Sequence, residues 1–408
     1  MKHKVAIVFP GSGSQYVGMG KRFYDEYEVV RNTYKQASEI LDKDFEKISF
    51  KGGVVKQNKI ENLLPSIYVT SVAMARVLLD EYHFVPSCLA GHSLGEYSAL
   101  TVSGALQFEE ALNIVQLRSN LAKEVAIKQD AGMAIINGMA TKRVEEICRV
   151  CSQGEHYAFI ACYNSEEQVL ISGNNDVLDE ILEKVKLEGA NVITMIGSAP
   201  YHSKLLKEAA EELRGALENC HINAPKWNVI SNRTVRPFRS REDIITHLVE
   251  QMYQPIYWGK VMQVLRTKSD MIIECGPNAV LSKIIKECTK LEDVYSLDTE
   301  EELLKVQDQK WQFYNQINYV GLCLKHIASS PNLCDVQNYP VEDVANMYNK
   351  VLDVDEKLTN GNGALTLDIV NQLEQMVQWV LGAKKVQTEE KLERLNEIRA
   401  LRKSMQLT

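Results

Sequence analysis

Leu89-Ala90-Gly91-His92-Ser93-Leu94-Gly95-Glu96-Tyr97-Ser98-Ala99-Leu100 is the stretch that decides the reading of this chain. A short apolar run, Cys88 to Ala90, leads into Gly-x-Ser-x-Gly, and a helix-like run follows from Glu96 to Val102. A Gly-x-Ser-x-Gly at a strand-to-helix junction is a nucleophile elbow. Its glycines allow a turn too tight for a Cβ, and the turn pushes the Ser93 hydroxyl out at the start of a helix. Helix N-termini favour negative charge, and their unpaired N–H groups can hold an oxyanion. The pentapeptide alone does not separate a nucleophile from a loop of small residues; its context does.

Outward from the elbow, short strands alternate with helices. Residues 4–9 read as a strand ending in a Gly-Ser loop. Ile67, Val69, Val72, Ala73, Ala75, Val77 and Leu78 mark a mostly buried helix, and Gly104 can end the helix that follows the elbow. Glu109 to Lys123 is helical, with Ile114, Leu117 and Leu121 on one apolar face. This alternation predicts an α/β core with a parallel sheet. Between 129 and 197 the rhythm changes to β-α-β-β-α-β: strands at Gly132–Ile136, Phe159–Tyr163, Gln168–Gly173 and Asn191–Met195, helices at Thr141–Cys151 and Asp176–Glu188. That order is ferredoxin-like. The expected division is an α/β-hydrolase-like core over 1–128 and 198–295, an inserted ferredoxin-like subdomain over 129–197, and a C-terminal helical extension over 296–408. In the extension, Ile369, Leu373, Met376, Val377 and Val380 form one stripe, and Leu392, Leu395, Ile398 and Leu401 another. Asn360-Gly361-Asn362-Gly363 reads as a turn between helices. Such stripes usually pack within their own chain; the other reading is a docking surface for a partner protein.

Further motifs stand in order along the chain. Phe9-Pro10-Gly11-Ser12-Gly13-Ser14-Gln15 lies near the N-terminus, and Leu117-Arg118 follows the elbow. Tyr163-Asn164-Ser165 leads through Gln168 to Ile171-Ser172-Gly173. Ala199-Pro200-Tyr201-His202-Ser203, then Gln251-Met252-Tyr253-Gln254-Pro255, then Glu274-Cys275-Gly276-Pro277 complete the series. Together with the decapeptide around Ser93 they resemble the malonyl-CoA:acyl carrier protein transacylases over roughly residues 1–295.

A serine hydroxyl is a weak nucleophile and needs a base within hydrogen-bond reach. The resemblance implies that His202 is this base; without it, a histidine capping the helix from Lys204 to Leu217 is the simpler reading. It makes His92 a supporting neighbour of the nucleophile, and the backbone carbonyl of Gln251 the group that orients the imidazole, where α/β-hydrolases use an acid. The backbone N–H of Leu94 is the usual first oxyanion donor at an elbow. The second is implied to come from the Gly-Ser-Gly loop at Ser12, where the family has glutamine; a backbone N–H survives that exchange. Arg118 matches the family's carboxylate-binding arginine. A guanidinium grips a carboxylate through two parallel hydrogen bonds, and malonyl thioesters carry a free carboxylate where acetyl and fatty acyl thioesters do not. Read without the resemblance, Arg118 is a surface residue of its helix. Gln15, Asn164 and Tyr201 fall in matched motifs as substrate-side residues. The Tyr201 ring is expected to occupy the space that the α-methyl of a methylmalonyl group needs, or simply to pack between subdomains.

The implied reaction is ping-pong transfer of malonyl from malonyl-CoA, through a Ser93 ester, to the phosphopantetheine thiol of an acyl carrier protein. It would serve fatty acid or polyketide synthesis, with synthase components as further partners, and the cycle needs no metal or tightly bound organic cofactor. Two rivals use the same residues differently: an acyl-thioester hydrolase on the same scaffold, and a non-catalytic partner protein acting through its C-terminal helices.

Composition agrees with such a chain. At 408 residues it can bury a full core. The net charge of −8 argues against a general nucleic-acid binder. Nine scattered cysteines do not form a disulfide framework; with no signal peptide visible, a cytoplasmic location with reduced thiols is expected. No stretch reads as long and apolar enough to span a membrane. Cys148 and Cys151, with His156 beyond, supply too few ligands for a structural zinc and read as half-buried residues at a helix end. The remaining histidines (3, 83, 156, 221, 247 and 326) read as structural or solvated.

Overall fold

The computed structural model describes residues 4–81, 85–154, 156–195, 198–307, 309–359 and 365–404. The turn expected at 360–363 and the histidines at 3 and 83 lie outside them. The chain divides into two compact units: Lys4–Arg76 with Pro86–Glu300 make the larger, and the helices from Glu301 onward belong to the smaller.

The larger unit contains two sheets. Its strands are β1 (Val5–Phe9), β2 (Cys88–Gly91), β3 (Ala131–Asn137), β4 (Ala158–Tyr163), β5 (Gln168–Asn174), β6 (Asn191–Thr194), β7 (Asn228–Ile230), β8 (Met271–Glu274) and β9 (Val294–Ser296). Five of them form a sheet in the order β7-β2-β1-β8-β9, with every pairing parallel. All residues of β1, β2 and β8 are buried. A parallel sheet covered on both faces requires such near-continuous apolar runs rather than alternation. The short strands β7, β8 and β9 had no counterpart in the sequence reading. The register aligns Phe9 with Gly91 and Ala90 with Ile230. The loops leaving β1, β2 and β7 therefore emerge side by side at the carboxyl edge of the sheet, where open α/β sheets bind their ligands.

The second sheet runs β4-β5-β3-β6, antiparallel throughout. The helices Thr141–Cys151 and Asn175–Leu187 connect β3 to β4 and β5 to β6, completing a ferredoxin-like β-α-β-β-α-β unit. Val144, Ile147, Val177, Ile181 and Val185 pack with Ala134, Ile136, Val169 and Ile171 in its core. Cys148 and Cys151 belong to that core and are buried, not half-buried. Burial pushes the Cys148 thiol up to about 12, and the Lys184 ammonium donates to Cys151 Sγ at 3.3 Å. His156 is exposed and pairs with Asp176 at 2.6 Å.

One stretch does have the length and apolar composition to cross a membrane: Ile60 to Glu81. Within it the helix Ile60–Arg76 is buried at every position from Asn62 to Ala75. A helix apolar all round belongs inside a core as readily as in a bilayer. Its hydroxyls hid the apolar length from a search for an unbroken run. Ser66 and Thr70 return theirs to the carbonyls of Asn62 and Ser66, at 2.7 and 2.8 Å. The helix that carries Arg118, second after the elbow, also differs from expectation. It runs Phe108–Gln129, and its buried face is Ala111, Leu112, Ile114, Val115, Arg118, Ser119, Leu121 and Ala122, with Leu117 only half-buried. The stripe passes through Arg118, so that arginine points inward.

In the smaller unit the helices Gln309–Ser329, Val341–Thr359, Leu367–Ala383 and Thr388–Ser404 share a core of Val320, Cys323, Val351, Leu373, Val377, Val380, Leu395, Ile398 and Leu401. Ile369 and Met376 pack at its margin, and Leu392 is 52% exposed.

The elbow is set by close approach. A Cβ on Gly95 would stand 2.0 Å from the Phe9 carbonyl oxygen, and one on Gly91 would stand 1.9 Å from the Gly95 carbonyl carbon. Both contacts are to backbone, which cannot move aside as a flexible side chain would. Gly95→Ala is expected to lower stability by roughly 3 kcal/mol, the upper end for overpacking. Exposed Gly215, in the helix Lys207–Glu218, is the control, because a Cβ there would meet nothing within 4 Å. At that position alanine should add up to about 1 kcal/mol through helix propensity. Urea midpoints of the two variants check this pair.

Candidate active site

Ser93 sits between β2 and the helix Gly95–Val102 with φ at +52°. For a non-glycine residue this left-handed backbone costs of order 1–2 kcal/mol. Asn232, in the loop after β7, holds the turn. Its Oδ1 accepts from the Ser93 amide at 3.2 Å, and its Nδ2 donates to the Gly91 carbonyl at 2.6 Å. Leu94 is buried, and among the described residues neither its N–H nor that of Ser12 is spent on an internal hydrogen bond. Gly11, beside Ser12, is itself close enough to His92 that a Cβ would meet the His92 carbonyl at 2.6 Å.

His202 reaches Ser93 from the segment after the ferredoxin-like unit. Its Nε2 lies 2.7 Å from Ser93 Oγ, and its Nδ1 lies 2.5 Å from the Gln251 carbonyl oxygen. A carbonyl oxygen only accepts, so Nδ1 carries the proton and Nε2 presents its lone pair to the Ser93 hydroxyl. The His202 amide donates to the Met252 carbonyl at 2.8 Å. Ring and backbone are thus fixed by consecutive residues at the end of the helix Arg241–Tyr253. Burial, then the Arg118 charge, hold the His202 imidazole well below its usual range, so it is neutral at pH 7.

Arg118 is 1% exposed. Its Nη2 lies 3.4 Å from both Ser93 Oγ and Gln251 Oε1. The Tyr201 ring lies against the guanidinium at 4.3 Å and the Tyr97 ring at 5.7 Å. Its Nε has no hydrogen-bond partner, and among the described residues no carboxylate pairs with it. An uncompensated buried cation is costly, and this one lies beside the serine hydroxyl with donors to spare. The arrangement can receive an anionic group there.

The other residues singled out from the sequence divide. His92 Nε2 donates to Asn164 Oδ1 at 3.0 Å, because the Asn164 amide nitrogen is already turned to Gln168 Oε1. Burial lowers His92 to about 4, so it too is neutral. Gln15 is drawn into its own loop, accepting from the Gly13 amide at 2.9 Å and donating to Asn58 Oδ1 at 3.2 Å. Tyr201 is buried with its ring on Arg118.

The sequence reading passed over three features. The Gln251 side chain was not considered, only its carbonyl; its Nε2 donates to the Ser93 carbonyl at 3.1 Å and to Glu96 Oε2 at 2.5 Å. Glu96 is fully buried, and its Oε1 accepts from Asn232 twice, at 2.7 Å from the amide and 3.0 Å from Nδ2. A signal for Glu96 was available: a lone carboxylate in the buried run Leu94 to Leu100 has to be partnered. Asn232 has no such signal, lying in an ordinary turn sequence, Ser231-Asn232-Arg233.

The acyl transferase domain family profile matches residues 6–313. Malonyl CoA-acyl carrier protein transacylase of Haemophilus influenzae is 34% identical over 310 residues, 74% of this chain and 99% of the relative. The same enzyme of Bacillus subtilis is 32% identical over 317 residues, 78% of this chain and 79% of the relative. Among solved structures, FabD of Acinetobacter baumannii aligns with a TM-score of 0.70 at 34% identity, covering 75% of this chain and 98% of that one. PlMCAT:AntF, a type II PKS acyl-carrier protein in complex with its malonyl-transacylase, aligns at 0.71 and 30% identity, covering 74% and 98%.

The hydrogen bonds require opposite tautomers for the two site histidines: Nδ1–H for His202 and Nε2–H for His92. Long-range ¹H–¹⁵N correlation spectra at pH 7 should show both patterns, with His92 remaining neutral until the pH approaches about 4. An imidazolium pattern for His202 at pH 7 would contradict this geometry.

Proposed function

Because the chain belongs to the malonyl-CoA:acyl carrier protein transacylase family, we propose that it moves a malonyl group from malonyl-CoA to the phosphopantetheine thiol of an acyl carrier protein through an ester on Ser93. His202 Nε2 takes the Ser93 proton as Oγ attacks the thioester carbonyl. The N–H groups of Leu94 and Ser12 receive the oxyanion. CoA leaves as the thiol with the proton from His202. The carrier thiol then attacks the ester, giving its proton to His202; Oγ leaves and regains a proton. Asn164 and His92 border the path, and Tyr201 holds Arg118 in place.

One observation carries the choice of substrate: the buried, carboxylate-free guanidinium of Arg118, 3.4 Å from Ser93 Oγ. An acyl group with a terminal carboxylate supplies what this cation lacks. The same observation weighs against a hydrolase of neutral acyl chains and against a non-catalytic partner, either of which would bury the charge to no purpose. A division into core (1–128, 198–295), subdomain (129–197) and extension (296–408) accords with the two sheets and with the helices that follow. A cytoplasmic setting accords with nine unpaired thiols, and fatty acid or polyketide synthesis is the corresponding pathway.

Intact-mass measurement after incubation with malonyl-CoA should find one malonyl adduct on the wild type and none on Ser93→Ala. An adduct persisting on the variant would refute the nucleophile assignment, and free malonate released without carrier protein at the transfer rate would favour the hydrolase.

Arg118→Ala should cost malonyl transfer about tenfold to a few hundredfold relative to acetyl transfer. That range corresponds to about 1.5–3 kcal/mol for a charge-assisted contact. Equal losses for malonyl-CoA and acetyl-CoA would make Arg118 structural.

A further inference from the structure

Resting on the reading above, in which Ser93 and His202 react, we propose that Glu96 is a positioning residue of the site. As a carboxylate, it clamps the turn of the nucleophile to the helix that carries the acceptor of His202, and so maintains the Ser93–His202 contact.

The geometry is a closed set of bonds around one buried side chain. Oε1 accepts from Asn232 N and Nδ2, at 2.7 and 3.0 Å. Oε2 accepts from Gln251 Nε2 at 2.5 Å. Those two partners hold the two backbone atoms of the nucleophile: Asn232 Oδ1 takes the Ser93 N–H, and Gln251 Nε2 gives to the Ser93 carbonyl. Gln251 also orients His202 through its carbonyl. Glu96 is thus one hydrogen bond from each group that sets the approach of nucleophile and base.

The amide orientations decide its protonation. Gln251 Oε1 faces Arg118 Nη2, which can only donate, so Nε2 must face Glu96. Asn232 Oδ1 faces the Ser93 N–H, so Nδ2 must face Glu96 and the Gly91 carbonyl. Every group on the Glu96 carboxyl is an N–H donor, and an acid O–H there would find no acceptor. Glu96 also lies in the first turn of the helix Gly95–Val102, which favours an anion. Its negative charge faces the positive Arg118 across the Gln251 amide, the two being joined by one hydrogen bond on either side.

Burial nonetheless raises Glu96 to about 7, against the pull of Asn232, Gln251 and the Arg233 charge. The charged and titratable groups facing this network are Arg118 and Arg233, permanent cations, His202, held neutral, and Tyr97, whose phenol is raised by burial and stays protonated. Protonation of Glu96 would therefore show as a loss of activity as the pH falls through about 7. The buried Glu274 carboxyl on β8, held by the Leu281 and Ser282 amides, is raised to about 7 as well, and the Glu96→Gln variant tells the two apart. Protonation of Glu96 sets an O–H against N–H donors and loosens the clamp, and His202 titrates well below that range.

The test is single-turnover acylation by malonyl-CoA, read by intact mass between pH 5.5 and 8.5. Wild-type adduct formation on Ser93 is the control for the reading this inference rests on: with no adduct, that reading fails, whatever Glu96 does. Given the adduct, the wild-type rate should fall on the acid side of about pH 7. Glu96→Gln keeps the shape but presents an NH₂ to a donor. It should slow acylation at pH 8 at least about tenfold, the half-saturating malonyl-CoA concentration should move less than about threefold, and the acid limb should vanish. Gln251→Met keeps the carbonyl that orients His202 while cutting the side-chain link, and should slow acylation comparably. Folded variants that acylate within twofold of wild type, with the acid limb unchanged, overturn the proposal. If neither variant folds, Asn232→Ser, which removes the other partner of Glu96, decides with the wild-type profile. An acylation rate at least about tenfold lower at pH 8 supports the clamp, and an unchanged rate, or a flat wild-type rate from pH 8 to 5.5, overturns it.

Discussion

The backbone contact between Gly95 and the Phe9 carbonyl, where a side chain would have only 2.0 Å, is the constraint on which the site depends. It brings the helix after the elbow down onto the end of β1, forcing the chain between β2 and that helix through a left-handed residue, Ser93. The same approach sets the loop after β1 beside the elbow, so that the free N–H groups of Ser12 and Leu94 come from neighbouring strand ends. Parallel register carries β7 to the same edge and delivers Asn232 under Ser93. The glycine at position 95 and the strained serine before it go with that one packing distance.

Around that turn the charges follow a consistent pattern. His202 is oriented by a carbonyl rather than a carboxylate, which fixes the tautomer without placing an anion on the ring. The support for an imidazolium is weaker than in an Asp-based triad. In the proposed cycle this suffices, because thioesters are more reactive than amides. The positive end of the site is assigned to Arg118 instead, and a nearby cation helps to keep His202 in its neutral, basic form. In the proposed cycle a carboxylate directly on His202 would compete with the substrate for Arg118. Holding Glu96 one amide away, behind Gln251, avoids that competition.

Most of the architecture was legible in sequence because it rests on local pattern. The apolar runs of β1 and β2, the β-α-β-β-α-β order, and the stripe through Leu373, Val377 and Val380 each carry their own local signal. The strands β7, β8 and β9 were missed because three or four residues each are too short to show a pattern. The membrane-length helix was missed because Ser66 and Thr70 read as polar, although each bonds its own helix. At the site, Ser93, His202, Arg118 and the Gln251 carbonyl were found through ordered motifs, and the structure brings them together. Glu96 and Asn232 were not. Their importance lies in contacts separated by 136 residues along the chain, which no local window contains. Gln15, singled out through its motif, turns into its own loop because the Gly13 amide and Asn58 satisfy it there.

Ser93 and His202 both adopt left-handed backbone, at φ +52° and +62°, and each would prefer another conformation by about 1–2 kcal/mol. They are also the two residues whose side chains meet, at 2.7 Å, and in the proposed cycle react. Such strain persists only where the surroundings over-determine it, and here the determinants can be counted on each side. Asn232 and Gln251 hold the Ser93 amide and carbonyl; the Met252 and Gln251 carbonyls hold the His202 amide and ring. Three of these four contacts come from Gln251 and its neighbour, at the end of a single helix. Pre-organisation of the proposed nucleophile and base therefore does not require a rigid cleft. It requires that one helix terminus be held in register with one elbow, and the Glu96 carboxylate spans the gap between them.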